Sequence, residues 1–242
     1  MLHQTVDGRG LVHLSRVPQC HRWVNPVSGG GVPNTASSYI SAIKVRGNLI
    51  GTALRSSRGK PQAPTARDCC GRTESLAHIL QVCPRTHGSH VARHDKIVDL
   101  VEQALTRKGY TISREPAIPT PAGIRKPDLV VARNSAVTVM DVTVVADNAD
   151  LAQSHGMKCE YYDTPSIREW IRDRYGLGGM SFSAVARNWR GSMAIPSARG
   201  LRSLGVSGAF LGLISFVTLE RGSWIVNHFR RSAYRVRQYD GV

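Results

Sequence analysis

The stretch GIRKPDLVVARNSAVTVMDVTVV, residues 123–145, constrains the fold more than any other part of the sequence. Two apolar runs rich in β-branched residues, 129–133 and 137–145, flank the turn-forming pair Asn134-Ser135, and this pattern predicts an antiparallel hairpin. Each run nevertheless carries a carboxylate, Asp128 where the first begins and Asp141 inside the second. A chain keeps a carboxylate in an apolar segment when it is hydrogen-bonded, ion-paired or bound to a cation. A turn at 134–135 brings residues 128 and 141 to the same end of the pair. Two carboxylates at one locus repel, so one pKa rises unless a divalent cation neutralises them, and such oxygen donors suit Mg²⁺. Arg125, Lys126 and Arg133 are then phosphate contacts. The alternative keeps both aspartates structural, Asp128 opening a strand after Pro127 and Asp141 capping or pairing with an arginine.

The surrounding chain fits an α/β pattern. HDKIVDLVEQALTRKGY places Ile97, Val101, Ala104 and Leu105 on one helical face beside Val98, with Gly109 as a stop signal. TISREPAIP reads as a strand, and 146–175 as polar and helical in part, including SIREWIRDRY. Helix, strand, strand, strand, helix describes a small mixed sheet with flanking helices. Before this block, residues 1–66 are rich in turn formers and read as a mobile basic arm or a small folded unit. Within them a short helix is expected over YISAIKVRGNLIGTALR, with apolar positions 40, 43, 50 and 54. The apolar stretch GVSGAFLGLISFVTL is shorter than the ~20 residues of a bilayer span and interrupted by glycine and serine, so it predicts buried structure.

Charge narrows the partner. Lys and Arg total 32 against 17 acids, a net charge of +15, which calls for a polyanion. Nucleic acid leads. A membrane surface is the alternative, but the basic residues are scattered and not gathered on one amphipathic helix. No continuous apolar core of a signal peptide is visible near the start. The five cysteines are an odd set, three of them close to His78, which favours a reducing compartment and a metal site over disulfides. Cys70, His78 and Cys83, spaced C-x7-H-x4-C, match zinc's preference for thiolate and imidazole. Cys69 is the nearest fourth donor, although adjacent residues rarely turn both side chains to one ion; a metal-free loop with buried thiols is the other reading. Trp189, Trp224 and Tyr234 stand among arginines and read as core or surface anchors before base-stacking platforms. His87, His90, His94 and His155 lack metal spacing and read as surface or phosphate contacts.

Asp128 after a proline, Asp141 in the next strand and a nearby lysine resemble the PD-(D/E)xK restriction-like nucleases. The usual lysine, two residues after the second acid, is replaced by Thr143. Lys158 and Tyr162, four apart in SHGMKCEYYD, supply the order found in the restriction-like endonuclease of R-two clade site-specific non-LTR retrotransposons. RTESLAHILQVCPRTHGSHVARHD and NWRG…SARGLRSLG extend the resemblance over about 67–230. It implies a restriction-endonuclease-like α/β core at 93–180, preceded by a CCHC-like zinc knuckle at 67–92, a linker or basic arm at 1–66 and a C-terminal extension at 181–242. It further implies Asp128 and Asp141 as Mg²⁺ ligands, Lys158 and Tyr162 as catalytic residues, and Cys70, His78, Cys83 and Cys69 as Zn²⁺ ligands. The family knuckle has a cysteine where this chain has Arg67 or Ala66, which leaves Cys69 as the departure. The implied activity is Mg²⁺-dependent nicking of target DNA in the nucleus, priming reverse transcription. Element RNA and the reverse-transcriptase portion of the parent polyprotein are the other partners implied, with no membrane. No aromatic-x-Asp-Asp loop occurs in these 242 residues, so no RNA copying is expected of them. The alternative is a catalytically decayed, nucleic-acid-binding relic.

Overall fold

Asn134 and Ser135 both take positive φ, 49° and 62°, the conformation of a two-residue turn whose twist matches its strands. The computed structural model describes residues 5, 7, 8, 10–24, 35–66, 70–176 and 178–239, with side chains as far as 232. In chain order these form helices α1 (Val12–Arg16), α2 (Ala36–Arg46), α3 (Ala53–Ser56), α4 (Leu76–Gln81) and α5 (His87–Thr106), then strands β1 (Thr111–Arg114), β2 (Ile118–Thr120), β3 (Gly123–Arg125), β4 (Leu129–Arg133) and β5 (Ala136–Val145). Helices α6 (Leu151–Tyr162) and α7 (Pro165–Tyr175), strand β6 (Met180–Asn188), and helices α8 (Ile195–Ser203) and α9 (Gly208–Tyr239) complete the order.

The fold is mixed α/β, a four-stranded sheet in the order β1-β4-β5-β6 with helices on both faces. β1, β4 and β5 are antiparallel, whereas β6 runs parallel to β5, as the intervening α6 and α7 permit. Alternation along β4 and β5 sorts the side chains. Leu129, Val131, Met140 and Val142 pack with Ile97, Val101 and Leu105 of α5 and with α8 and α9. Val130, Val137 and Val139 face Ile167 and Ile171 of α7 and Tyr162 of α6. The α5 stripe predicted from Ile97, Val98, Val101 and Leu105 is buried as expected.

Several expectations change. The single strand expected at 111–119 is broken by Glu115, at φ 44°, so that β2 turns away and pairs with β3 in a separate two-stranded ribbon. β6, unrecognised in the sequence, is the fourth strand of the sheet. In α2 the face carrying Ile40 is exposed, and Ala42, Val45 and Arg46 face inward. Val17, Cys20 and Trp23, from the segment read as arm or small unit, also lie in the core.

The apolar stretch expected to be buried is so: Leu211, Ile214, Phe216 and Leu219 of α9 sit in the interior. The part from Gly208 to Ser232 is long and apolar enough to cross a membrane by length and composition, and most of it is buried within the fold. At Gly212 a side chain would meet the Gln19 carbonyl at 3.2 Å, so the glycines that interrupt this stretch admit the 3-10 turn Pro18–Val24 against the helix. Basic residues enter the core as well. Arg46, Arg93 and Arg187 donate to the carbonyls of Arg190, Leu80 and Gly191. Burial lowers the Arg187 pKa to about 10, still above neutrality.

Candidate catalytic and metal sites

The strand register pairs Leu129 with Met140, and one step further it sets Asp128 beside Asp141 at the same end and on the same face. Both carboxylates are largely buried. Each is held by a different set of groups. Asp128 Oδ2 accepts from the Val142 N–H at 2.6 Å and lies 3.2 Å from His94 Nε2. Asp141 Oδ1 accepts from the Tyr162 hydroxyl at 3.0 Å, and its Oδ2 is 2.8 Å from Lys158 Nζ. The Tyr162 hydroxyl also contacts the Lys126 carbonyl at 3.0 Å, tying α6 to the segment that leads into β4.

α6 explains this grip. Asp150 caps it by accepting from the amides of Ala152 and Gln153, and residues 158 and 162 then fall one helical turn apart, over the same carboxylate. Thr143, two residues beyond Asp141, shares its strand face but has no ammonium to offer. The structure thus gathers Asp128, Asp141, Lys158 and Tyr162 at one locus.

The electrostatics follow from burial. Desolvation, and then the charge of Asp128, raise the Asp141 pKa, while Lys158 and Tyr162 pull it down. Burial first, and then Asp141, push the Tyr162 phenol upward, so it remains a donor. Hydrogen bonding to Asp128 lifts the His94 pKa to about 9, which makes it an imidazolium at neutral pH.

His94 is the site residue that sequence reasoning missed. It was expected at the surface or on phosphate, but Nε2 lies 3.2 Å from both Asp128 Oδ2 and the Val142 carbonyl, and Nδ1 contacts Asp95 at 3.1 Å. The signal was available: His94 heads the stripe 94, 97, 98, 101 and 105, the face that α5 turns to the sheet. His90 and His155 are likewise engaged, with the carbonyls of Ile79 and Ala184, and His87 alone of the four is exposed. Arg133, expected near phosphate, stands at the far end of β4 from Asp128, where it bonds the Lys108 carbonyl and covers Tyr110. Arg125 does lie beside the locus, stacked 4.2 Å from the Tyr161 ring centroid and donating to the Tyr161 carbonyl.

The oxygen set fits a hard divalent cation. Asp128 Oδ1 receives no hydrogen bond from the described residues, and two carboxylates that disfavour joint ionisation gain from an intervening positive charge. Asp128 and Asp141 would hold such an ion.

The second cluster lies N-terminal to the sheet. The ligand atoms of Cys70, His78 and Cys83 fall within 4.8 Å of one another, and Cys70 Sγ is 3.2 Å from His78 Nε2. Ser75 caps α4 through the amide of His78, and the Cys83 amide bonds the His78 carbonyl, so a six-residue helix sets both donors. Burial, and then Arg72, lower the His78 pKa and keep its imidazole neutral, as metal ligation requires. This Cys₂His group could hold a metal ion. Cys69 lies outside the described residues. Trp189 is buried with Arg190 over its ring, as expected of a core anchor, while Trp224 is 60% exposed. The side chain of Tyr234 lies outside those described.

No protein-family model matches the chain. It is similar to the Retrovirus-related Pol polyprotein from type-2 retrotransposable element R2DM of Drosophila melanogaster, 32% identical over 226 residues, which cover 92% of this chain and 21% of that protein. The corresponding polyprotein from type-1 retrotransposable element R2 of Nasonia vitripennis is 32% identical over 243 residues, 98% of this chain and 23% of its own length. That of Bradysia coprophila is 35% identical over 226 residues, 91% of this chain and 25% of its own. The chain therefore spans between 21% and 25% of these three relatives.

Proposed function

From the homology of this chain to a portion of the Pol polyproteins of R2 non-LTR retrotransposable elements, we propose that it is a Mg²⁺-dependent DNA endonuclease. The observation that carries this reading is the convergence of Asp128, Asp141, Lys158 and Tyr162 from two strands and one helix on a single locus. In the host nucleus it would nick a target strand and leave a 3′-hydroxyl for the reverse-transcriptase portion of the polyprotein to extend along element RNA.

Held by Asp128 and Asp141, Mg²⁺ would supply the Lewis-acid and charge-neutralising chemistry of phosphodiester hydrolysis. The chain's own residues prepare that locus. Lys158 opposes the burial that favours protonated Asp141, and its ammonium stands ready to meet negative charge developing on a phosphoryl oxygen. Tyr162 fixes the Asp141 carboxylate and anchors it to the Lys126 carbonyl. His94 and the Val142 amide fix Asp128. We also propose that the Cys70, His78 and Cys83 group binds zinc and belongs to a nucleic-acid-binding knuckle.

Nicking of supercoiled plasmid in Mg²⁺ tests the catalytic reading. Asp128→Asn and Asp141→Asn should each abolish nicking yet leave DNA affinity unchanged or slightly higher, because a negative charge facing phosphate is removed. A second reading, a binding relic without catalysis, is favoured by the absence of a cysteine at 66 or 67. It prevails if the parent does not nick; if the parent nicks and both variants do so equally fast, Asp128 and Asp141 are structural and not the catalytic pair.

A further inference from the structure

A groove lies between the N-terminal half of α5 and the middle of α9. Ser89 and Ala92 line one wall; Arg221, Trp224, His228 and Arg231 line the other, around a cavity of about 510 Å³. The α9 residues follow the spacing i, i+3, i+7, i+10 and share one face of the helix. Among the described residues no carboxylate lines the groove. His94 leaves α5 toward the carboxylate pair, whereas Ser89 and Ala92, well over 100° away around the helix at about 100° per residue, point elsewhere. α5 therefore separates the groove from the candidate catalytic locus.

Two features of this wall set it apart from ordinary surface. Trp224 is 60% exposed, with the Arg221 guanidinium 4.7 Å from its ring centroid. The buried Nε of Arg221 has no hydrogen-bond partner among the described residues, and neither Arg221 nor Arg231 makes an ion pair with them. The acids of α5 that could neutralise them are engaged further along that helix, Asp95 with His94 and Asp99 and Glu102 with Arg114. A tryptophan 60% exposed and flanked by arginines that make no ion pair with the described residues, in a groove lined by no carboxylate among them, matches the recognition of unpaired nucleotides: bases stack on the ring while arginines follow the phosphates.

We propose that this groove binds single-stranded nucleic acid, with Trp224 as the stacking platform and Arg221, His228 and Arg231 as phosphate contacts. The site is additional to the carboxylate locus and independent of whether that locus cleaves DNA. RNA and unpaired DNA share the required chemistry.

The test uses the full chain with short oligo(dT) and oligo(U). Trp23 and Trp189 are buried and Trp170 is half-buried beside Tyr175, so quenching by added oligonucleotide reports chiefly on Trp224. Both the quenching and the anisotropy of labelled oligonucleotide should give the same affinity. Trp224→Ala should weaken oligonucleotide binding about tenfold or more, the usual effect of losing one stacked base, while Trp224→Phe should stay near the parent. Replacing Arg221 and Arg231 with alanine should lower the salt slope by about 0.7 for each phosphate no longer neutralised. Preference for oligo(U) assigns the groove to RNA, and preference for oligo(dT) to a displaced DNA strand. Because Trp224 is exposed, Trp224→Ala should fold, as circular dichroism will show. Absence of quenching by either probe, or unchanged oligonucleotide affinity in Trp224→Ala, overturns the proposal. An equal loss of affinity for blunt duplex overturns the assignment to unpaired strands.

Discussion

Asp141 shows how one residue can be costly for folding and useful for chemistry. Burial and the neighbouring Asp128 both act against its charge, and Lys158 and Tyr162 from the next helix offset them. Lys158 thus opposes the penalty on the Asp141 charge, and in the proposed reaction it would also present a cation to the substrate. Lys158→Ala should reduce single-turnover nicking by about a hundredfold, the scale for removing one electrostatic stabiliser, whereas Tyr162→Phe should have a smaller effect because Lys158 remains. A double variant separates position from sequence order. Thr143 lies on the Asp141 face of β5, so Thr143→Lys in the Lys158→Ala background returns an ammonium to the carboxylate from a different element. Partial recovery of the nicking rate is expected; no recovery, with the fold intact by circular dichroism, would show that the ammonium must come from α6. Of the four residues at this locus, the two aspartates were legible in the sequence through the hairpin, whereas Lys158 and Tyr162, an i, i+4 pair, were assigned to it through the family resemblance. His94 was not legible, because its role depends on α5 docking its apolar stripe onto the strands, which spacing between histidines does not report.

At the level of elements, the sequence was readable where periodicity and turn chemistry agreed, as in the β4–β5 hairpin, α5 and α7. It was opaque where burial is not apolar. The inner half of β6 runs Ala184 to Asn188, with Arg187 and Asn188 fully buried, so no hydrophobic alternation marks it as a strand. α2 packs through Ala42, Val45 and Arg46 and leaves Ile40 in solvent, the reverse of what its largest residues suggest. β3 is three residues long, too short to show a period. The hairpin turn offers a stability test. Ser135 holds φ 62° without the freedom of glycine, so Ser135→Gly should stabilise the fold by about 0.5 kcal/mol, seen as a rise of about 1–2 °C in melting temperature. A fall would mean that the serine side chain contributes more than the strain costs. The α4 cluster offers a metal test. Cys83 is buried beside Ile79 and Leu80, so extracting zinc should loosen a part of the core. Metal analysis should find less than one zinc per chain, given the missing cysteine at 66 or 67, and a chelator should accelerate hydrogen exchange across 76–86. A full equivalent of zinc, lost in Cys69→Ala, would instead make the adjacent cysteine a proper fourth ligand.

Across the whole molecule the positive charge is an internal feature as well as an external one. Arg46, Arg93, Arg187 and Arg190 are buried, and among them Arg190 is paired with Asp147 at 2.8 Å. The others are solvated chiefly by backbone carbonyls. Because its partner is fully buried, Asp147→Ala should cost about 3–5 kcal/mol and shift the denaturant midpoint accordingly. The outward consequence concerns binding. A net charge of +15 on 242 residues produces a field that draws any polyanion, so affinity for DNA should come mainly from counterion release. For contacts with about six phosphates, log affinity should fall linearly with log salt at a slope near −5, close to a thousandfold between roughly 50 and 200 mM. Any preference for a target sequence should appear as an offset between parallel lines, since base contacts displace few counterions. Charge reversal at a buried arginine would disturb this slope only by unfolding the chain, whereas removing the Arg221 or Arg231 guanidinium should reduce the slope for single strands with the melting temperature unchanged. A flat salt response would remove nucleic acid as the partner that this charge selects.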